Sequence, residues 1–221
     1  MTDAFPFPWS EALLARLRAH LAAEPFPRDA AHDLGHILRV ARLAQALAEA
    51  EGADAATCVA AALLHDLVYR PKNHPESPLT ARMAADLVPR WCRETPGLES
   101  CAEAVAGAVA SHSWSGGGDP TTLEAAVVQD ADRLEALGAI GVARVFATGA
   151  SFGAGLWHPS DPWAERRPLD DKAWSLDHFE RKLLKLAEGM RTDSGRRLAQ
   201  ARQAAMTAYL AALRAELAGP A

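Results

Sequence analysis

Two histidines four residues apart (His32 and His36), an adjacent His65-Asp66 pair, and the buried-looking acid Asp130 are the residues of this chain that could do metal chemistry. The stretch AHDLGHILRV, residues 31–40, nearly reproduces H-E-x-x-H. In that motif two histidines on one helix face hold zinc and the glutamate activates water. Here Asp33 stands in the glutamate's place, one methylene shorter, and His32 falls at the helix start, where orientation is least fixed. The protease pattern is specific only when complete. In AALLHDLVYR, His65-Asp66 closes an almost entirely apolar segment. An ionised Asp buried there destabilises the fold by several kcal/mol unless something neutralises it, and a metal cation would. Neighbouring helical residues point about 100° apart. Both can therefore reach one ion only near the helix end, with other ligands supplied from elsewhere. In VVQDADRLEALGAIG, Asp130 shares the apolar face with Val127, Leu134 and Leu137 and would also be buried. A buried acid, a His-Asp pair and the helical His36 form a mixed nitrogen and oxygen set, suited to Mn, Fe, Co, Ni or Mg.

The elements that must carry these residues all read as helices. SEALLARLRAHLA opens on Ser10 as a candidate N-cap and puts Leu13, Leu14, Leu17 and Leu21 on one stripe. HDLGHILRVARLAQALAEAEG runs to Gly52, a suitable C-cap. DAATCVAAALLHDLVY is apolar all round and predicts a buried central helix. The prolines of RPKNHPESP force a loop, and helices follow in LTARMAADLVPRWCRE and GLESCAEAVAGAVASHS. Asp119 or Thr121 could cap TTLEAAVVQDADRLEALGAIGVARVFATG, in which Gly138 and Gly141 signal close packing or a break. Residues 150–171 lack a helical period and predict a long loop, a candidate lid or dimer contact. SLDHFERKLLKLAEGM and TDSGRRLAQARQAAMTAYLAALRAELA complete the chain. No alternating run reads as a strand, and there is no internal repeat. The expectation is all-α: one compact domain over residues 1–221, core 10–217, of seven or eight helices.

Composition sets the class of partner. A net charge of -5 argues against a general nucleic-acid binder. Hydrophobic residues make up 49% of the chain, enough for a substantial core. The N-terminus has no basic and apolar leader pattern, and no stretch approaches membrane-spanning length. Cys58, Cys92 and Cys101 are scattered without a C-x-x-C. That fits reduced thiols and a cytoplasmic location.

HDLGHILRVARLA, AALLHDLV and QDADRLEALGAIGVAR, in this order within an all-helical chain, resemble the HD-domain metal-dependent phosphohydrolase superfamily. The wording is similar to its stand-alone bacterial YedJ-like and YpgQ-like subgroup, and the tail after Leu176 agrees. The resemblance spans roughly residues 10–217. It implies His36 rather than His32 as the first metal ligand, His65 and Asp66 as the signature pair, and Asp130 as the fourth. His32 and Asp33 then lie beside the site, Asp33 as a cap or a supporting contact.

The resemblance also implies hydrolysis of a phosphate ester or anhydride with a divalent ion, Mn favoured. The substrate would be a small phosphorylated molecule, foremost a nucleotide, with pyrophosphate release from a nucleoside triphosphate as the leading reaction. Phosphomonoesterase or phosphodiesterase action and a non-catalytic nucleotide-sensing module are the alternatives. A phosphate substrate needs cations and proton carriers around it. Arg133, one turn after Asp130, and His112, at a helix end, are candidates for catalysis beside Asp66. Lys72, His32, Asp33, and the i,i+4 pair His178 and Lys182 are candidates for substrate binding. Glu76, beyond a proline loop, does not match the extra acid pair of the alarmone and 5′-deoxynucleotide hydrolases, so the general acid has no assignment. A homodimer is the partner expected besides substrate.

Overall fold

A computed structural model describes residues 4–71, 74–113 and 118–219. Among these residues there are nine α-helices and no strand. They are α1 (Ser10–Ala22), α2 (Leu34–Glu51), α3 (Ala55–Leu64), α4 (Thr80–Arg93), α5 (Ala102–Ser111), α6 (Leu123–Leu134), α7 (Gly138–Ser151), α8 (Asp177–Arg181) and α9 (Asp193–Ala218). Short 3-10 turns occupy Ser77–Leu79, Glu99–Cys101 and Leu183–Gly189. The chain divides into two compact units, one ending at Asp132 and the other beginning at Arg133.

The first unit is built around α3. Every residue from Thr57 to Leu64 is buried, as an all-apolar helix requires. It packs against α1, α2 and α5, while α4 packs on α5. Asp54 starts α3 by accepting from the Ala56 amide and the Thr57 hydroxyl. α2 turns Ile37, Val40, Ala41, Ala44, Leu47 and Ala48 inward and ends at Gly52, whose φ of 75° is the left-handed cap conformation. Two expected caps are replaced. Ser10 lies inside α1 and its hydroxyl donates to the Phe5 and Phe7 carbonyls. The side chain that caps α6 is Thr122, accepting from the Ala125 amide at 3.1 Å.

The second unit packs α7 on α9. The ninth helix arises because the long segment after Thr121 breaks at Gly138, whose φ of 71° no ordinary helical residue adopts. Gly141 serves the other purpose: a Cβ there would lie 2.3 Å from the Ala136 carbonyl oxygen. The expected penultimate helix is shorter than its pattern, with α8 ending at Arg181 and a 3-10 turn following. Residues 152–176 hold no helix but are tied together. Gly155 and Trp174 form an isolated bridge, and the Arg167 guanidinium grips buried Asp177 through two short hydrogen bonds.

Candidate metal centre

Four side chains from three helix ends converge in the first unit. His36 sits in the first turn of α2, placed by Asp33, which caps the helix by accepting from the His36 amide at 2.8 Å. His65 is the C-cap of α3 and Asp66 follows it. Asp132 lies near the end of α6. The donor atoms of His36, His65 and Asp66 all fall within 4.8 Å of one another. Asp66 Oδ2 is 3.9 Å from His36 Nε2 and 3.6 Å from His65 Nε2. Asp132 Oδ1 is 3.5 Å and 3.8 Å from the same two nitrogens. Ligands at roughly 2.1 Å from one ion are about 3 Å apart when adjacent and about 4 Å apart when opposite, and the observed separations lie between those limits.

The hydrogen bonds fix what each nitrogen can do. His65 Nδ1 lies 2.7 Å from the Ala62 carbonyl and donates to it. Its Nε2 therefore carries a lone pair, and that atom is buried with no hydrogen-bond partner among the described residues. A backbone carbonyl holding one ring nitrogen while the other faces an open position is the usual arrangement of a metal-binding histidine. His112 repeats the pattern, its Nδ1 2.6 Å from the Val109 carbonyl and its ring 5.0 Å from that of His65. Gln129 of α6 donates to the Ser111 carbonyl and ties the end of α5 in place.

Charge follows burial and proximity. Burial, outweighing nearby Asp66, pushes the His65 imidazole down to about 4. Burial alone would raise the Asp66 carboxyl, but the His65, His36 and His32 rings and the Arg28 guanidinium hold it well below the usual carboxylate range. Asp132 is held low against the same burial, chiefly by its hydrogen bond to His36. Near neutral pH the cluster thus presents a neutral His65 beside ionised carboxylates, the protonation states that metal binding needs.

A second ring of contacts braces the cluster. Arg28, only 9% exposed at its side chain, pairs with equally buried Glu24 and donates to the His32 and Asp66 carbonyls. Its Nη1 is 4.0 Å from Asp66 Oδ2. Asp29 Oδ1 is 2.8 Å from His32 Nδ1, while Asp29 Oδ2 accepts from the Tyr69 hydroxyl at 3.1 Å. The His32 ring in turn meets that of His36 edge to face at 5.9 Å.

The residues expected from sequence take these places. His36, His65 and Asp66 come together, His32, Asp33 and His112 border them, and Asp130 is fully buried. The carboxylate brought to both imidazoles besides that of Asp66 is that of Asp132, which does not share the apolar face of α6. Arg133 is buried in the second unit, where its Nη1 donates to the Gly189 carbonyl at 2.7 Å. His178 bonds Asp171 at 2.8 Å, and Lys182 lies past the end of α8, so the two do not share a helix. Lys72 lies outside the described residues. Sequence reasoning also missed Glu24, Arg28, Asp29 and Tyr69. The D-x-x-H spacing of Asp29 and His32 was the one available signal, in a segment with no period to read.

Comparison with known proteins gives a consistent answer. Residues 33–137 match the HD domain family. YpgQ of Bacillus subtilis (strain 168) is 33% identical over 193 residues, covering 85% of each chain. A crystal structure of Bacillus subtilis YpgQ in complex with ADP superposes with a TM-score of 0.71 at 30% identity, covering 96% of both chains. An HD-superfamily hydrolase from Bacillus thuringiensis superposes with a TM-score of 0.69 at 30% identity, covering 95% of this chain and 97% of the other.

Proposed function

This chain belongs to the HD-domain family, and from that premise we propose that it is a divalent-metal-dependent phosphohydrolase acting on a nucleotide, with pyrophosphate release from a nucleoside triphosphate as its reaction. The observation that carries the reading is the His65 Nε2 lone pair, buried without a hydrogen-bond partner among the described residues and ringed by His36, Asp66 and Asp132. Nitrogen and carboxylate donors without a thiolate suit Mn and its neighbours. The nucleotide reading draws support from the ADP complex of similar YpgQ.

His36, His65, Asp66 and Asp132 would hold the ion, with Asp132 in the place that the family resemblance implies for Asp130. Bound there, a divalent ion would polarise a phosphoryl oxygen and ease the loss of a proton from water, so that the water oxygen could attack the phosphorus near neutral pH as the bond to the leaving phosphate breaks. The chain's own residues do the rest. Asp66, with its backbone carbonyl held by Arg28, orients the attacking water through the carboxylate oxygen that does not face the imidazoles. His112, with Nδ1–H committed to Val109, offers Nε2 to take a proton. His32, aligned by Asp29, lies beside His36 where a phosphate group would sit. Arg133, Lys72, Asp33, His178 and Lys182 remain proposed contacts that rest on sequence alone.

The test is hydrolysis of a nucleoside triphosphate panel with added Mn²⁺ and separation of the products. Pyrophosphate plus monophosphate supports the reading. Free phosphate alone would replace it with a phosphatase.

A further inference from the structure

Asp29 holds three donors with one carboxylate, in a segment that belongs to no helix. Its Oδ1 accepts from the Ala31 amide at 2.9 Å and from His32 Nδ1 at 2.8 Å, and its Oδ2 accepts from the Tyr69 hydroxyl at 3.1 Å. The Asp29 carbonyl accepts from the His32 amide at 3.1 Å, and Arg28 donates to the His32 carbonyl. Burial alone would raise the Asp29 carboxyl, but the His32 ring, the Ala31 amide and the Tyr69 hydroxyl hold it below the usual carboxylate range. An ionised carboxylate only accepts, so the proton of this contact sits on His32 Nδ1. Ring and backbone of His32 are thus both fixed.

The brace is placed where such fixing has a use. The His32 ring stands edge to face with that of His36, and Tyr69 follows Asp66 by three residues, so the brace is anchored on the segment that carries the His65-Asp66 pair. Asp29 forms no hydrogen bond or ion pair with His36, His65, Asp66 or Asp132 among the described residues; what it holds beside the cluster is His32. With Nδ1 committed to Asp29, Nε2 is the nitrogen that can serve a group bound at the ion. An imidazole protonated on both nitrogens donates to a carboxylate and to a phosphate oxygen at once, and such charge-assisted bonds are the strong ones. We propose that Asp29, supported by Tyr69, is a positioning residue that fixes the His32 ring so that its Nε2 meets the substrate's phosphate beside the ion. The inference rests on the phosphohydrolase reading above and adds which residues set the phosphate contact.

The experiment is a double-mutant cycle read in binding. Wild type, Asp29→Ala, His32→Ala and the double variant are titrated calorimetrically with Mn²⁺, and then with inorganic pyrophosphate under excess Mn²⁺. His32→Ala should weaken pyrophosphate binding about 10-fold or more, the order of a lost charge-assisted hydrogen bond. Asp29→Ala should reproduce most of that loss, and the double variant should bind no more weakly than His32→Ala alone. Mn²⁺ affinity should stay near that of wild type in all three. Asp29→Asn keeps an Oδ1 for both donors and should recover most of the affinity lost in Asp29→Ala. Tyr69→Phe frees only the other oxygen and should show a smaller loss, again absent when His32 is Ala; this pair carries the same test if Asp29→Ala does not fold. Losses that multiply in the double variant overturn the inference, because Asp29 then acts on the fold and not through His32. Undiminished pyrophosphate binding in a folded Asp29→Ala, or an equal loss of Mn²⁺, overturns it as well. A wild type that does not bind pyrophosphate removes the phosphate contact altogether. A wild type that binds pyrophosphate with the expected cycle but cleaves no nucleoside triphosphate removes the nucleotide reaction and leaves the role of Asp29 standing.

Discussion

The hydrogen bond from His65 Nδ1 to the Ala62 carbonyl decides what the other ring nitrogen can do. With its proton on Nδ1, His65 can only accept or ligate through Nε2, and that atom faces two carboxylates. The residue-scale question is which acid of QDAD completes the set. Asp132→Asn should weaken Mn²⁺ binding by more than the roughly 10- to 100-fold seen for residues one shell further out. A folded Asp130→Asn should bind Mn²⁺ nearly as wild type does; the reverse pattern, read by calorimetry, would return the role to Asp130. The His65 imidazole also sets an acid sensitivity. Its folded value is about 4 against an ordinary 6.5, so between these pH values the unfolded chain binds the extra proton. Stability of the chelator-treated protein is then complete above about 6.5 and lost as pH falls toward about 4, by on the order of 3 kcal/mol. Asp66 and Asp132, held low, contribute in the same direction only at more acid pH. Urea unfolding at pH 7 and pH 5 should show the loss, and His65→Gln should show much less of it.

At the scale of elements, periodicity found the helices and missed what sits between them. The apolar stripes of α2 and α3 are long enough to be read directly, and so is the Gly52 stop. The break between α6 and α7 was signalled by Gly138, yet whether a glycine breaks a helix or lets another element approach depends on tertiary contacts; Gly138 and Gly141 do one each. Gly141→Ala should therefore destabilise by about 1–3 kcal/mol or more through the clash with Ala136, measured as a lower urea midpoint. The same rule of periodicity explains the preference for Asp130, which points into the core. A ligand needs to face the other ligands rather than the apolar stripe, and Asp132, roughly 200° round the helix from it, does. The segment 24–33 carries Glu24, Arg28 and Asp29 without any period, so its bracing of Asp66 was illegible. Arg28→Met would leave Glu24 buried and unpaired, with an expected loss of about 3–5 kcal/mol. Adding Glu24→Leu should restore most of it; no restoration would show that Arg28 acts through its other contacts.

For the whole molecule, the all-helical fold and the family were legible because three motif blocks fall in order along one chain. The division into two units was not, since α6 runs across the boundary without a break in its pattern. No single helix among the described residues is long and apolar enough to cross a membrane. An ion that binds only the folded state stabilises the whole chain. At about 100 times its dissociation constant Mn²⁺ should add about 2.7 kcal/mol, roughly 5–10 °C in melting temperature for a chain of this size. Asp66→Ala should show no such shift. The most direct test of the central claim sets that variant beside wild type in nucleoside triphosphate hydrolysis with Mn²⁺. The account expects metal-dependent release of pyrophosphate by wild type and none by Asp66→Ala. Equal turnover by the two proteins, or turnover that survives removal of the metal, would contradict it.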